Sequence, residues 1–391
     1  MAAPKILIVD DEPFNVDTLE QELADLDYQT VSACDGQEAL DKVDCEAPDL
    51  VLLDIRMPVM DGFEVLRRLK AGAKTRDIPV IVISANNDLD SIVWGIALGA
   101  EDYLPKPFEL ALLRARLSSS LEKKRLRDLE QLYLKSMQRE LEIGREIQAG
   151  FLPAELPRIA GWEVAACFKA AHEVAGDFYD IFWLPDGKLL GLIGDVCDKG
   201  VGAALFMSLF RSLIRAIASS EFTRRGENPA TLCPAERLSQ VITFTNDYIA
   251  NVHADASMFA TLFIGILNPQ DGRLDYMNCG HEAPLWVKPG GAIIPLLRTG
   301  PAVGVIPGAD FGVEQIDLEK GDLFFAYTDG VPDAINDRTE SFGKGRLLEI
   351  VKGFDLTPGG LLERIEQAVG QFRGNAMQFD DITLLAIKRA L

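Results

Sequence analysis

Histidine is scarce in this sequence: His172, His253 and His281 are the only three among 391 residues. That scarcity gives little support to catalysis by a Ser/His/Asp set. The six cysteines (Cys34, Cys45, Cys167, Cys197, Cys233 and Cys279) are scattered, with no CxxC and no regular framework. No Cys/His pair has the spacing of zinc ligands, so the cysteines read as buried, reduced thiols of a cytosolic protein. Basic residues are outnumbered, 39 against 60 acidic, for a net charge of −21. Such a chain repels nucleic acid and anionic membranes. The surplus carboxylates suit either solubility alone or several divalent-cation sites. No apolar run reaches about 18 residues and no signal-peptide pattern opens the chain. No transmembrane helix is therefore expected, and the expected location is cytoplasmic, without nucleic-acid or membrane partners.

Apolar residues make up 48% of the chain and charged residues 25%, a globular balance. The length suits two or three domains. Near the N-terminus the run Lys5-Ile6-Leu7-Ile8-Val9 ends in Asp10, Asp11 and Glu12, and a helical stretch follows from about Pro13 to Asp25. A second apolar run, Leu50–Leu53, ends in Asp54; a third, Ile78–Ile83, ends in Ser84. A helix near Asp88–Leu98 and a short strand, Asp102-Tyr103-Leu104, lead into Lys106-Pro107. Continuous apolar runs alternating with helices imply a doubly wound parallel sheet.

In such a sheet, functional groups gather beyond the carboxyl ends of the strands, where Asp10, Asp11, Asp54, Ser84 and Lys106 all fall. Carboxylates crowded together repel unless a cation lies among them, and with water and a phosphoryl group they make a magnesium site. A lysine and a hydroxyl hold phosphoryl oxygens. The chemistry that suits this set is phosphoryl transfer to a carboxylate nucleophile. Any one of these acids alone would read as a helix cap or turn residue.

Residues 5–120 resemble the receiver domains of two-component response regulators, which have a flavodoxin-like α/β fold. The matching pieces are Ile8-Val9-Asp10-Asp11-Glu12, Leu52-Leu53-Asp54-Ile55-Arg56-Met57-Pro58-Val59-Met60-Asp61-Gly62, Val82-Ile83-Ser84-Ala85, Gly99–Tyr103 and Lys106-Pro107-Phe108. The resemblance implies that Asp54 is the phosphoacceptor, supplied by a sensor histidine kinase. It implies that Mg²⁺ is held by Asp10, Asp11, Asp54 and the backbone carbonyl of Arg56. It also implies that Ser84 and Lys106 contact the phosphoryl group, that Tyr103 is the aromatic switch, and that the Lys106-Pro107 bond is cis.

Residues 109–150 carry no proline and only two late glycines, Gly144 and Gly150. Leu110, Leu113, Leu117 and Leu121 have the spacing of a last receiver helix. Leu126, Leu129, Tyr133, Met137 and Leu141 continue a helical stripe whose steps of four depart from a strict heptad. Two packings bury such a stripe: a homodimer through paired linker helices, or one helix against its own domains.

After Phe151-Leu152-Pro153 the pattern changes. Strand-like runs appear at Trp162–Phe168, Phe178–Trp183, Leu189–Gly194, Met258–Leu267, Arg273–Asn278 and Asp322–Tyr327. Turns at Pro185-Asp186-Gly187 and Asp271-Gly272 join strands as hairpins, and helical blocks lie near 201–220 and 233–252. Strands in runs, interrupted by helices, indicate an α+β domain. Asp177, Asp195, Asp329 and the pair Asp380-Asp381 each stand at or beside the end of an apolar strand, usually next to glycine. Hard oxygen ligands suit Mg²⁺ or Mn²⁺, and two such ions activate a shared water and neutralise a phosphate.

Residues 145–390 resemble the SpoIIE-like branch of the PPM (PP2C-like) phosphatases, a β-sandwich flanked by helices. The resemblance rests on Arg145-Glu146-Ile147-Gln148, Phe151-Leu152-Pro153, Gly194-Asp195-Val196, Lys199–Leu205, Asn278-Cys279-Gly280-His281 and Gly300–Gly304. It implies that Asp177 and Asp195 bridge two Mn²⁺ or Mg²⁺ ions, with the Val196 carbonyl, Asp329 and Asp380 as further ligands, so that the catalytic set is Asp177, Asp195, Asp329 and Asp380. Ala175 and Asp198 stand where the family usually has glycine. Asp198 adds a charge beside the site, either to hold an extra metal or to disfavour an anionic substrate. His281 reads as a structural histidine in a turn rather than a catalytic acid.

The expected organisation is a receiver over residues 1–120, a helical linker over 121–150 and a phosphatase domain over 151–391. The expected function is dephosphorylation of phosphoserine or phosphothreonine on a protein, by family analogy a STAS-type anti-sigma-factor antagonist. The alternative is a catalytically weak adaptor that binds a sigma-factor regulator. Retention of all four metal acids favours the enzyme. A DNA-binding regulator is excluded by charge and by the lack of a helix-turn-helix after the receiver.

Overall fold

The structure, a computed structural model, describes residues 3–85, 89–107, 109–223, 233–352 and 357–391. Asp88 and Phe108, which figure in the patterns above, lie outside the described residues. Contacts divide the chain into two compact units, Met1–Met137 and Gln138–Leu391.

The first unit alternates strands and helices: β1 (Lys5–Val9), α1 (Pro13–Ala24), β2 (Gln29–Ala33), α2 (Gly36–Glu46), β3 (Leu50–Asp54), α3 (Gly62–Ala71), β4 (Val80–Ala85), α4 (Leu89–Ala97), β5 (Asp102–Lys106) and α5 (Leu110–Ala149), whose residues after Met137 belong to the second unit. The five strands form one parallel sheet in the order β2-β1-β3-β4-β5. Successive residues of β1 and β3 point to opposite faces, and both faces are covered. Leu7, Val9, Val51 and Leu53 pack with Val65, Leu66 and Leu69 of α3. Ile6, Ile8, Leu50 and Leu52 pack with Leu19 and Leu23 of α1 and Leu113 and Leu117 of α5. The unbroken apolar runs of the sequence follow from this two-sided burial. The edge strand β2, Gln-Thr-Val-Ser-Ala, is mostly half-buried and gives no such run.

The last receiver helix and the linker are one element. α5 is 40 residues long, and Leu126, Leu129, Tyr133 and Met137 on it are exposed.

The second unit contains β6 (Trp162–Lys169), β7 (Asp177–Trp183), β8 (Leu189–Val196), α6 (Val201–Thr223), α7 (Pro234–Val252), β9 (Ala260–Leu267), β10 (Arg273–Cys279), β11 (Leu285–Val287), β12 (Ile293–Pro295), β13 (Glu314–Asp317), β14 (Leu323–Tyr327), α8 (Gly343–Lys352), α9 (Pro358–Arg373) and β15 (Ile382–Arg389). Two antiparallel five-stranded sheets result, β13-β10-β9-β8-β7 and β12-β11-β14-β15-β6. Tyr179, Ile181, Ile193 and Phe263 of the first sheet meet Phe324, Ala326, Leu385 and Ile387 of the second. On the outer face of the first sheet, Phe178, Leu190 and Leu192 pack on Met207, Phe210 and Ile214 of α6 and on Leu238 and Val241 of α7. On the outer face of the second, Leu285, Phe325 and Leu384 pack on Leu347 of α8 and Leu361 and Ile365 of α9. The unit is thus a β-sandwich between two helical layers. The turns foreseen at Gly187 and Gly272 have φ of 83° and 93°, conformations that favour glycine.

One expectation needs correction. The cysteines are all free, but only Cys279 is buried; Cys34, Cys45 and Cys233 are exposed. Cys233, for example, stands at the N-cap of α7, where its backbone N–H donates to Glu236 Oε2 at 2.7 Å. Among the described residues, α6 is long and apolar enough, by length and composition, to cross a bilayer. Here its apolar side chains line the core of the second unit, and its Arg211 and Arg215 ion-pair with the fully buried Asp180 of β7.

Candidate functional sites

In the first unit, β1 and β3 are neighbours in the parallel sheet, which brings Asp10, Asp11 and Asp54 together at one end. Carboxylate oxygens of these three residues lie within 4.8 Å of one another. Lys106, at the end of β5, donates to Asp10 Oδ2 at 2.7 Å and to Asp54 Oδ2 at 2.5 Å. Asn15 of α1 donates to both Asp10 oxygens, at 3.0 and 3.1 Å, and Glu12 N–H donates to Oδ1 at 3.0 Å. The Arg56 N–H donates to Asp54 Oδ1 at 3.2 Å. Ser84 is buried near the end of β4, whose preceding residue Ile83 pairs in register with Asp54. Tyr103 lies on β5, paired in register with Val82. The Lys106-Pro107 bond is cis. Gly62 allows the loop after Asp54 to close: a Cβ there would stand 2.2 Å from the Asp54 carbonyl oxygen.

In the second unit, the acids meet where β7 and β8 of one sheet face β14 and β15 of the other. Asp177 and Asp195 are directly opposed across the β7–β8 ladder. Asp177 is buried, and its Oδ2 accepts hydrogen bonds from Thr328 Oγ1 and Thr383 Oγ1, each at 2.7 Å. Asp329 follows β14 and Asp380 precedes β15 by two residues. Close packing demands the neighbouring glycines. A Cβ on Gly176 would lie 3.0 Å from the Val196 carbonyl oxygen, and one on Gly330 would lie 1.9 Å from the Asp381 carbonyl oxygen.

Burial and mutual repulsion raise these carboxyl groups. Asp195 is pushed up to about 7, by desolvation first and then by the charges of Asp329, Asp380 and Asp381. Asp329 is pushed up to about 6, by desolvation and then by Asp380. Asp177 is raised by burial and by Asp195, against the lowering effect of its two threonine hydrogen bonds. Hard oxygen donors held this close, at a cost that a cation relieves, fit divalent ions.

The adjacent acids Asp380 and Asp381 have different surroundings. Asp381 is buried, and its oxygens accept backbone N–H groups of Ala171 at 2.7 Å and Gly176 at 2.8 Å. Asp380 is part-exposed and ion-pairs with Lys199 at 2.9 Å. Asp198 has φ of 70°, a left-handed conformation in which glycine is unstrained and aspartate tolerated. Its Oδ1 accepts the Lys199 N–H at 2.9 Å. His281 is buried and its imidazole is pulled down to about 4 by desolvation. Nδ1 lies 2.9 Å from Thr261 Oγ1, and its backbone N–H donates to Asn278 Oδ1. Burial therefore favours the neutral ring.

Four side chains escaped the residue-level reading. Thr328 and Thr383 flank the acids in sequence, but their bonds to Asp177 span 151 and 206 residues. Gln148 and Lys199 stood inside recognisable motifs without a role. Gln148, on the last turn of α5, is bonded at both ends of its amide to the backbone of Ala175.

A family model described as Stage II sporulation protein E (SpoIIE) matches residues 185–390, more than half of the chain. The chain belongs to the SpoIIE family. The matched span includes Asp195, Asp329 and Asp380 and begins after Asp177. A response regulator receiver domain matches residues 6–118, so this SpoIIE-family protein carries a receiver ahead of its family domain. It is 40% identical over 264 residues to Protein IcfG of Synechocystis sp., a match covering 64% of this chain and 41% of that protein. It is 40% identical over 124 residues to the transcriptional regulatory protein PrrA of Mycobacterium tuberculosis, covering 32% of this chain and 52% of that one. The chain thus spans about half or less of these curated relatives. The SiaA-PP2C domain of Pseudomonas aeruginosa superposes with a TM-score of 0.53 at 19% identity, over 66% of this chain and 98% of that one. That likeness concerns the fold: the second unit of this SpoIIE-family chain is a PP2C-like domain.

Proposed function

We propose that this chain is a response regulator in which phosphorylation of Asp54 controls metal-dependent hydrolysis of phosphoserine or phosphothreonine on a protein. The observation that carries the reading is the meeting of Asp177, Asp195, Asp329 and Asp380 at one end of the sandwich, with the Asp195 and Asp329 carboxyls raised by burial first and then by neighbouring acids, Asp380 among them for both. Asp177, Asp195, Asp329, Asp380 and the Val196 carbonyl are the proposed ligands of two Mn²⁺ or Mg²⁺ ions. Two divalent ions so bound supply an activated water and neutralise phosphoryl oxygens. The protein's own contribution is placement. Thr328 and Thr383 orient Asp177, and Asp381 ties down the backbone that leads into it.

In the receiver, Asp10, Asp11, Asp54 and the Arg56 carbonyl are the proposed Mg²⁺ ligands. Lys106, already bonded to Asp54, neutralises the incoming phosphoryl group, Ser84 donates a hydrogen bond to it, and Tyr103 senses the change. The phosphodonor is a sensor histidine kinase, and the substrate class is a phosphorylated STAS-type antagonist. The exposed stripe Leu126, Leu129, Tyr133 and Met137 supports a homodimer through α5. A cytoplasmic setting agrees with these partners.

Phosphate release from a phosphoserine STAS-domain protein tests this, with and without Mn²⁺ and with and without a small phosphodonor. Release that needs Mn²⁺ and responds to the donor is expected. Asp177→Asn or Asp329→Asn abolishes turnover in a folded protein, and Asp54→Asn abolishes the donor response. Undiminished turnover in the first two variants would overturn the metal assignment. An equal donor response in the third would overturn the control by Asp54.

A further inference from the structure

The acids of the second unit form a strongly negative surface for an enzyme whose substrate is an anion. Beyond the four proposed ligands, Asp333 and Glu282 also bear on Asp329. Of the nearby cations, Lys344 is taken up by Glu282 at 2.7 Å. Lys199 faces the ligands themselves, with its Nζ 2.9 Å from Asp380 Oδ2.

The position of this ammonium does not depend on Asp380 alone. It donates to the Phe379 carbonyl at 2.7 Å and lies over the Phe379 ring, 4.0 Å from its centroid. The backbone turns sharply on both sides of it, with φ of 70° at Asp198 and 80° at Gly200. An ammonium has three N–H donors; Asp380 and the carbonyl account for two, and the side chain remains 38% exposed. When Asp380 shares its charge with a divalent ion, its attraction for Lys199 weakens. A phosphoryl oxygen is then the stronger charge-assisted partner.

We propose that Lys199 is the side chain that binds the phosphoryl group of a phosphate monoester substrate, held at the edge of the metal site by Phe379. The proposal rests on the phosphatase reading above. It makes Lys199 a determinant of substrate affinity, with metal binding left to the aspartates.

The test uses the full chain loaded with Mn²⁺ and compares wild type with Lys199→Met, Lys199→Gln and Lys199→Arg. Calorimetry measures binding of inorganic phosphate and of Mn²⁺; p-nitrophenyl phosphate turnover separates KM from kcat. Removing the charge is expected to weaken phosphate binding and raise KM about tenfold, the scale of one charge-assisted contact, with Mn²⁺ affinity unchanged. Lys199→Arg keeps most of the phosphate affinity. Unchanged phosphate binding in either neutral variant would overturn the proposal, as would a loss of Mn²⁺ affinity that accounts for the whole effect. Lys199→Gln, which retains a donor for the Phe379 carbonyl, decides the matter should Lys199→Met not fold. A wild-type protein without Mn²⁺-dependent hydrolysis would defeat the phosphatase reading alone, because phosphate binding needs no turnover.

Discussion

The side-chain amide of Gln148 spans the backbone of Ala175: its Nε2 donates to the Ala175 carbonyl at 2.7 Å, and its Oε1 accepts the Ala175 N–H at 2.9 Å. Gln148 closes the long helix α5, and Ala175 stands two residues before Asp177. A segment outside the sandwich therefore sets the backbone that carries a proposed metal ligand.

Replacing Gln148 by glutamate keeps the shape but turns a carboxylate oxygen toward the Ala175 carbonyl. A buried acceptor that loses its donor costs about 1–3 kcal/mol. Gln148→Glu is expected to lower the unfolding free energy of the protein by that amount and to weaken Mn²⁺ binding. Urea titration and calorimetry measure the two effects; wild-type values of both would show that the contact does not position Asp177.

The raised carboxyls predict a pH-dependent stability in the metal-free protein. Asp195 at about 7 and Asp329 at about 6 lie above the ordinary aspartate value of 3.8. Between those values the folded state binds more protons than the unfolded state, so stability falls as pH rises. The contribution is full below about 3.8, is lost progressively through 6 to 7, and is absent above. Mn²⁺ favours the ionised carboxylates, so its stabilising effect should be larger at pH 8 than at pH 5. Urea midpoints of chelated and Mn²⁺-loaded protein across this range check the sign, and an equal metal effect at both ends would contradict it.

Asp180 is fully buried between Arg211, at 3.0 Å, and Arg215, at 2.7 Å, and the latter also lies over the Phe182 ring. Removing one partner of such a group leaves uncompensated charge, a loss of about 3–5 kcal/mol. Asp180→Ala should destabilise the second unit by that amount. The receiver should keep its own Mg²⁺ response, which intrinsic fluorescence or a phosphodonor assay can follow separately.

Gly370 occupies the exposed face of α9, and a Cβ there meets nothing within 4 Å. Glycine inside a helix costs about 0.8–1 kcal/mol relative to alanine. Gly370→Ala is expected to raise the stability of the second unit by about that much and leave turnover unchanged. A lower melting temperature would mean that the backbone here needs more freedom than a helix.

Much of this protein was determined by its sequence alone. Apolar runs ending in Asp10, Asp54, Asp195 and Ser84 marked buried strands with polar ends, because a two-sided core demands continuous apolar residues and leaves polar ones at the rim. The order of those ends, with Lys106-Pro107, was sufficient to read the receiver, whereas an Asp-Gly pair alone reads as a turn and the second group of acids drew notice only as a set. The edge strand β2 and the helices α8 and α9 stood out less, since partial exposure dilutes the apolar pattern. Only the tertiary structure decided the surroundings of each acid. Asp380 and Asp381 are neighbours of one type, yet Asp381 is spent on backbone N–H groups of Ala171 and Gly176 while Asp380 meets Lys199. Likewise, Thr328 and Thr383 converge on Asp177 from β-strand ends far along the chain, and Gln148 reaches Ala175 from another element. Local periodicity records which face of a strand or helix is buried. It does not record which distant donor a buried carboxylate will find, because that is set by how the sheets pack together.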